Sequence, residues 1–125
     1  MEEIIFIGNA SNGYFAKEVA EAKGLKYTHI DINGYIIKNT AKILLKTSGK
    51  DIQTIIFDID CFIDEAEILA KEIRNIANAL NFMPIAYMPG YSPKSEIGKA
   101  LINNNIKNFI IAGGVSDLKE QLIKF

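Results

Sequence analysis

The chain has 125 residues, 49% of them hydrophobic and 23% charged, and 14 Lys plus Arg against 15 Asp plus Glu leave a formal net charge of -1. This describes one ordered globular domain over residues 1–125 and supplies no basic footprint for nucleic acid. The single cysteine, Cys61, excludes an internal disulfide and a multi-cysteine zinc site, and the single histidine, His29, offers little to a metal.

Residues 4–7, Ile-Ile-Phe-Ile, form a continuous apolar run, as expected of a strand covered on both faces. The run follows an acidic Met-Glu-Glu start and is too short for a signal peptide's apolar segment. No apolar stretch reaches the ~18 residues of a membrane span. The expectation is a cytoplasmic protein with no membrane partner.

A helix is predicted over 12–23, with Phe15, Val19 and Ala22 at helical spacing and Gly24 as its stop. Residues 27–32 alternate, with Thr28, Ile30 and Ile32 on one face and Tyr27, His29 and Asp31 on the other, which suits a sheet edge. Residues 33–51 are the least regular, with a turn at Asn33-Gly34 and a short helix over 40–47 ending near Gly49. A second apolar strand is predicted over 52–59. The strongest helical pattern, 64–80, starts on a capping box of Asp64 and Glu67 and buries Ala66, Leu69, Ile73, Ala77 and Leu80.

Residues 84–88 form a short strand broken by Pro89-Gly90, and Ser92-Pro93 starts the next helix, which turns Ile97, Ala100 and Leu101 inward. A fifth strand spans 108–112 before Gly113-Gly114. Ser116 caps a last helix with Leu118, Leu122 and Phe125 inward.

Five strands alternating with helices predict a three-layer α/β/α sandwich around a parallel sheet. The uniformly apolar first and third strands belong at its centre and the polar-faced second at an edge, giving the flavodoxin-like order 2-1-3-4-5. Ligands of such sheets sit at the carboxyl ends of strands one and three, here Gly8-Asn9 and Asp58.

Several residues at those ends carry a resemblance. Asp58 follows an apolar third strand, Met83-Pro84 opens the fourth, and the unit count and length agree with the receiver domains of bacterial response regulators. The likeness covers nearly the whole chain and implies a two-component signalling role. In that family an acid pair after strand one holds Mg²⁺ and an aspartate after strand three accepts phosphate. A Thr or Ser after strand four and a Lys after strand five bind the phosphoryl oxygens. Only the aspartate is kept, as Asp58. The other positions are Gly8-Asn9, Pro89 and Ala112.

The resemblance is therefore to a degenerate receiver, a pseudo-receiver, which implies a non-enzymatic regulatory module without a cofactor. Its expected partner is a protein or a fused output domain, because Phe125 falls where a receiver hands over to one. Homodimerisation is expected through the face of helix 4, strand 5 and helix 5. Asp58 is expected to cap a loop, which a strand-ending aspartate does by accepting from backbone N–H groups.

Two alternatives stand beside this. The first is a phosphoacceptor, with Asp58 holding Mg²⁺ together with Asp60. The second is a nucleotide or phosphate binder using the loop of Gly8, Ser11, Asn12 and Gly13, although Tyr14 and Phe15 stand where a phosphate loop carries Lys and Ser or Thr. His29 reads as an edge-strand surface residue and Cys61 as a buried, unreactive thiol beside acids. Tyr87 is expected to pack and Tyr91 to be partly exposed.

Overall fold

The computed structural model describes residues 2–111 and 115–125, the first three residues of the last helix as backbone only. Its strands are β1 (Glu3–Ile7), β2 (Lys26–Ile30), β3 (Ile52–Asp58), β4 (Met83–Tyr87) and β5 (Phe109–Ile110). The helices between and after them are α1 (Tyr14–Lys23), α2 (Thr40–Thr47), α3 (Ala66–Leu80), α4 (Glu96–Asn103) and α5 (Val115–Ile123). All neighbouring strands pair in parallel, in the order β2-β1-β3-β4-β5, which is the flavodoxin-like arrangement expected from the apolar runs.

Strand geometry explains why β1 and β3 need no alternation. Successive side chains point to opposite faces, and here both faces are covered. Ile4, Phe6, Ile56 and Ile85 face a core shared with α1 and α5, where Phe15, Val19, Leu118 and Leu122 are buried. Ile5, Ile7, Ile55 and Phe57 face the opposite core, with Ile43 of α2, Leu69 and Ile73 of α3, and Leu101 of α4. Among the described residues, no helix is long and apolar enough to cross a membrane.

Several boundaries move from their expected places, each for a local reason. Helix α1 begins at Tyr14 because residues 10–12 close a 3-10 turn first, capped by Asn9. The capping box at Asp64 does not form. Its Oδ1 accepts instead from the backbone N–H of Ile36 at 2.7 Å, tying the β2–α2 connection to the start of α3, which begins at Ala66 without a side-chain cap. Helix α4 starts at Glu96 rather than at Pro93. Ser95 caps it by accepting from the Gly98 N–H at 3.2 Å, while Ser92 and Pro93 form a preceding turn. Phe125 is 37% exposed rather than inward. The fifth strand, expected over 108–112, spans only Phe109–Ile110; Ala112 and the Gly113-Gly114 stop lie outside the described residues, as does the side chain of Ser116.

At the amino edge of the sheet, Glu3 is only 2% exposed, yet it carries a carboxylate. The Thr28 hydroxyl on β2 donates to it, and Lys50, ahead of β3, pairs with it at 3.0 Å. Burial alone pushes the Glu3 carboxyl up, but the Thr28 bond, the Lys50 bond and charge, and the Lys26 charge together hold it below its ordinary 4.5. A depressed folded-state value stabilises the fold above the unfolded value, and the gain is lost as pH falls through the folded one. We therefore expect Glu3→Gln to lower stability by about 1–3 kcal/mol at neutral pH. Denaturant melts between pH 7 and pH 3 should show the difference from wild type shrinking below about pH 4.5.

Candidate functional site

The carboxyl ends of β1 and β3 lie side by side, with Ile7 paired to Phe57, so Gly8 and Asp58 are the next residues out. Their approach is closer than side chains on both would permit. A Cβ on Gly8 would stand 2.2 Å from the Cβ of Asp58, and Gly8 has φ of +146°. Glycine meets both conditions at once.

Asp58 is 1% exposed, and its Oδ2 collects three donors from the chain itself. The Asn12 side-chain amide donates at 2.9 Å, the Cys61 thiol at 3.3 Å, and the Asn9 backbone N–H at 3.4 Å. Its Oδ1 is buried with no hydrogen-bond partner among the described residues. The carboxylate thus clasps the β1–α1 loop and the turn after β3 to the end of β3. This is the loop-capping role expected for Asp58, with a side-chain amide and a thiol added to the backbone donor.

The residues singled out in the sequence divide between this cluster and its surroundings. Asn9 is drawn to Asp58 through its backbone, while its side chain turns away to accept from Ser11 N at 3.1 Å and Ser11 Oγ at 2.9 Å. Pro89 is half-buried two residues beyond Tyr87, the register partner of Asp58 on β4. Ala112 lies outside the described residues.

Asp60 parts from Asp58 because β3 ends at Asp58 and residues 59–61 turn in a 3-10 conformation. Its Oδ1 accepts from the Tyr91 hydroxyl at 2.7 Å, across the gap to the β4–α4 loop. Two residues along a strand point the same way, so Asp58 and Asp60 could share Mg²⁺ from one face only if β3 continued through Cys61, and it ends at Asp58. Among the described residues, no group of three or more His, Cys, Asp or Glu is placed to hold a metal ion.

The loop over 8–13 spends five of its six backbone N–H groups on the chain itself. Gly8 N–H bonds to Ile30 O, Asn12 N–H to Asn9 O and Gly13 N–H to Ala10 O, while Asn9 and Ser11 are committed as above. A phosphate-cradling loop needs those N–H groups turned toward the anion. The recess beside the loop is lined by Asn9, Ala10, Asp31, Ile32, Asn33 and Cys61, which bring a carboxylate and no cation.

His29 donates from Nε2 to the Gly8 carbonyl at 2.6 Å, a bond that fixes its tautomer, since a carbonyl can only accept. It serves the same Gly8 turn. Tyr87 stacks on Phe15 with centroids 5.4 Å apart and meets Phe6 edge-on, as expected of a packing residue. Tyr91 is 38% exposed.

Cys61 is half-buried rather than fully so. Burial first, then its bond to the Asp58 carboxylate and the nearby charge, push its thiol up to about 11. The sequence hinted at the acids around Cys61 but not at its donor role. That role depends on the 3-10 turn bringing the residue back over Asp58. Nor did the sequence mark Asn12 as a ligand of Asp58, although an amide four residues beyond Gly8 was the available signal.

No protein-family model matches this chain, and no curated protein matches its sequence.

Two outcomes test the clasp. Asp58→Asn keeps one acceptor oxygen and the shape of the carboxylate, and it should cost less than about 1.5 kcal/mol in chemical denaturation. Asp58→Ala orphans the Asn12 and Asn9 donors and should cost about 2–4 kcal/mol. The Cys61 thiol should alkylate slowly with iodoacetamide at pH 8, and Asp58→Asn, which removes the adjacent anion, should speed it several-fold.

Proposed function

We propose that the chain is a receiver-like regulatory module that acts by protein contact and does not transfer phosphate. The observation that carries the reading is the commitment of Asp58. Its Oδ2 is spent on Asn12, Asn9 and Cys61, and its Oδ1 is sealed from solvent, inside a site where the residue is 1% exposed. A phosphoacceptor must present an oxygen to an incoming phosphoryl group and have that group's charge neutralised by metal and cation.

The residue types at the partner positions support the same reading. Gly8 and Asn9 bring no carboxylate for Mg²⁺, Pro89 no hydroxyl, and Ala112 no ammonium. A cation acting on a transferring phosphoryl group is worth on the order of 10³–10⁵ in rate in enzymes that use one. A chain without those groups has little left with which to lower the barrier.

The proposed contact surface is the face of α4, β5 and α5, where Ile102 is 42% and Ile111 40% exposed. It serves a protein partner, a fused output domain or a second copy of the chain. Single exposed apolar residues are ordinary; the support is that one stands on α4 and the other directly after β5, two of the three elements of that face.

Exposure to Mg²⁺ with beryllofluoride, followed by amide NMR, tests the central point. The reading expects no specific shifts at Gly8, Asn9 or Asp58, and saturable shifts centred there would overturn it. Sedimentation velocity tests the contact face. Concentration-dependent dimerisation that Ile102→Asp abolishes is the expected result, and a strict monomer at high concentration would remove self-association from the account.

A further inference from the structure

In a chain whose net charge is -1, the segment 32–50 carries Lys38, Lys42, Lys46 and Lys50 and no acid at all. Lys50 pairs with Glu3 at 3.0 Å. The other three find no such partner. Lys42 Nζ donates to the Asp31 carbonyl at 3.3 Å, and Lys38 lies over the Tyr35 ring, 4.8 Å from its centroid. No ion pair joins Lys38, Lys42 or Lys46 to an acid among the described residues.

Apolar side chains stand exposed among these charges. In α2, Ile43 and Thr47 are buried, and at about 100° per residue Leu45 falls on the opposite side of the helix. There it is 80% exposed, more than any other large apolar side chain among the described residues, and Leu44 beside it is exposed too. The Thr40 hydroxyl fixes α2 to α3 by donating to Glu72 at 3.0 Å. Next to that bond, between the 3-10 turn Ile36–Lys38 and α3, runs a shallow groove of about 140 Å³ lined by Ile37, Ile68, Lys71, Glu72 and Asn75. It is smaller than the ~300–1,000 Å³ common for small-molecule sites and suits single side chains of a larger partner. Glu72 is engaged by Thr40 and Asn75, whereas Lys71 has no ion pair among the described residues.

We propose that this face, the crest of α2 with the groove beside α3, docks an acidic amphipathic helix of a partner protein. Apolar residues at helical spacing on the partner pack on Leu44 and Leu45 and set one side chain between Ile37 and Ile68. Its carboxylates meet Lys38, Lys42, Lys46 and Lys71. A second copy placed face to face brings the same lysines and is repelled. A nucleic acid matches the charge but gives the exposed apolar side chains nothing to pack on. An anionic lipid surface meets the Glu72 carboxylate and leaves the groove unfilled. The inference concerns a different face from that of α4, β5 and α5 and does not depend on it.

The probe is a stapled helical peptide of about 15 residues with Leu at i, i+3, i+4 and i+7 and Glu on its remaining surface. One control replaces every Glu by Lys, and the other replaces every Leu by Ala. Each is titrated into the ¹⁵N-labelled full chain at low ionic strength. The acidic peptide should bind with Kd below about 0.5 mM and each control at least about fivefold more weakly. Amide shifts should centre on residues 35–46 and 68–75, and raising salt from about 0.05 to 0.3 M should weaken binding several-fold. Leu45→Ser alone, and Lys42→Gln with Lys46→Gln, all at exposed positions, should each weaken the acidic peptide about threefold or more with the thermal midpoint unchanged. Equal binding of acidic and basic peptides, shifts centred elsewhere, or no binding up to about 3 mM would each overturn the proposal. Cosedimentation with phosphatidylserine vesicles that Leu45→Ser abolishes would overturn it too, by giving the face to a lipid surface.

Discussion

A carboxylate sealed at the end of a central strand has to find donors, since its water is gone and an unpartnered charge in that position is costly. In this chain the donors come from either side of Asp58 in space. Asn9 and Asn12 belong to the loop leaving β1, and Cys61 to the turn leaving β3. The approach requires Gly8, whose missing side chain lets the two strand ends close to a distance any Cβ would block. His29 on β2 then holds the carbonyl of that same glycine. Three adjacent strand ends are thereby fixed to one another around a single acid.

This arrangement sets the chemistry available at the place where a doubly wound parallel sheet normally offers its ligand site. The backbone N–H groups of Gly8, Asn9, Ser11, Asn12 and Gly13 are bonded within the chain, and the acid that could face a metal is 1% exposed with its Oδ2 occupied. The open space shifts sideways to the gap between the β3–α3 and β4–α4 connections, where acids and apolar core residues meet.

Much of the fold was legible because it depends on periodicity and burial. The runs at 4–7 and 52–59 could be sandwiched on both faces only if their strands were central, and the alternation at 27–32 could suit only an edge. Those two facts, with right-handed crossovers, leave one simple strand order. The short helix at 40–47 was also readable and forms at those residues.

What escaped the sequence were choices between locally equivalent partners. Asp64 could cap α3 or reach the Ile36 N–H, and only the packing of the irregular 33–39 stretch decides for the latter. Ser92 and Ser95 are both competent caps, and residues 92–95 form their own turn before α4 begins. At the site, the capping role of Asp58 followed from ordinary turn chemistry. The identity of its side-chain partners did not, because Asn12 and Cys61 reach it across 46 and 3 residues through conformations that no spacing rule encodes.

The account turns on Asp58 being engaged internally, and titration with Mn²⁺ while watching amide line widths measures that most directly. Manganese is a hard cation that seeks an accessible carboxylate and broadens nearby signals when it finds one. An Asp58 bonded internally through Oδ2 and sealed from solvent at Oδ1 predicts that Gly8, Asn9 and Asp58 broaden no more than surface residues near other acids. Selective, saturable broadening centred on those three residues, abolished by Asp58→Asn, would contradict it.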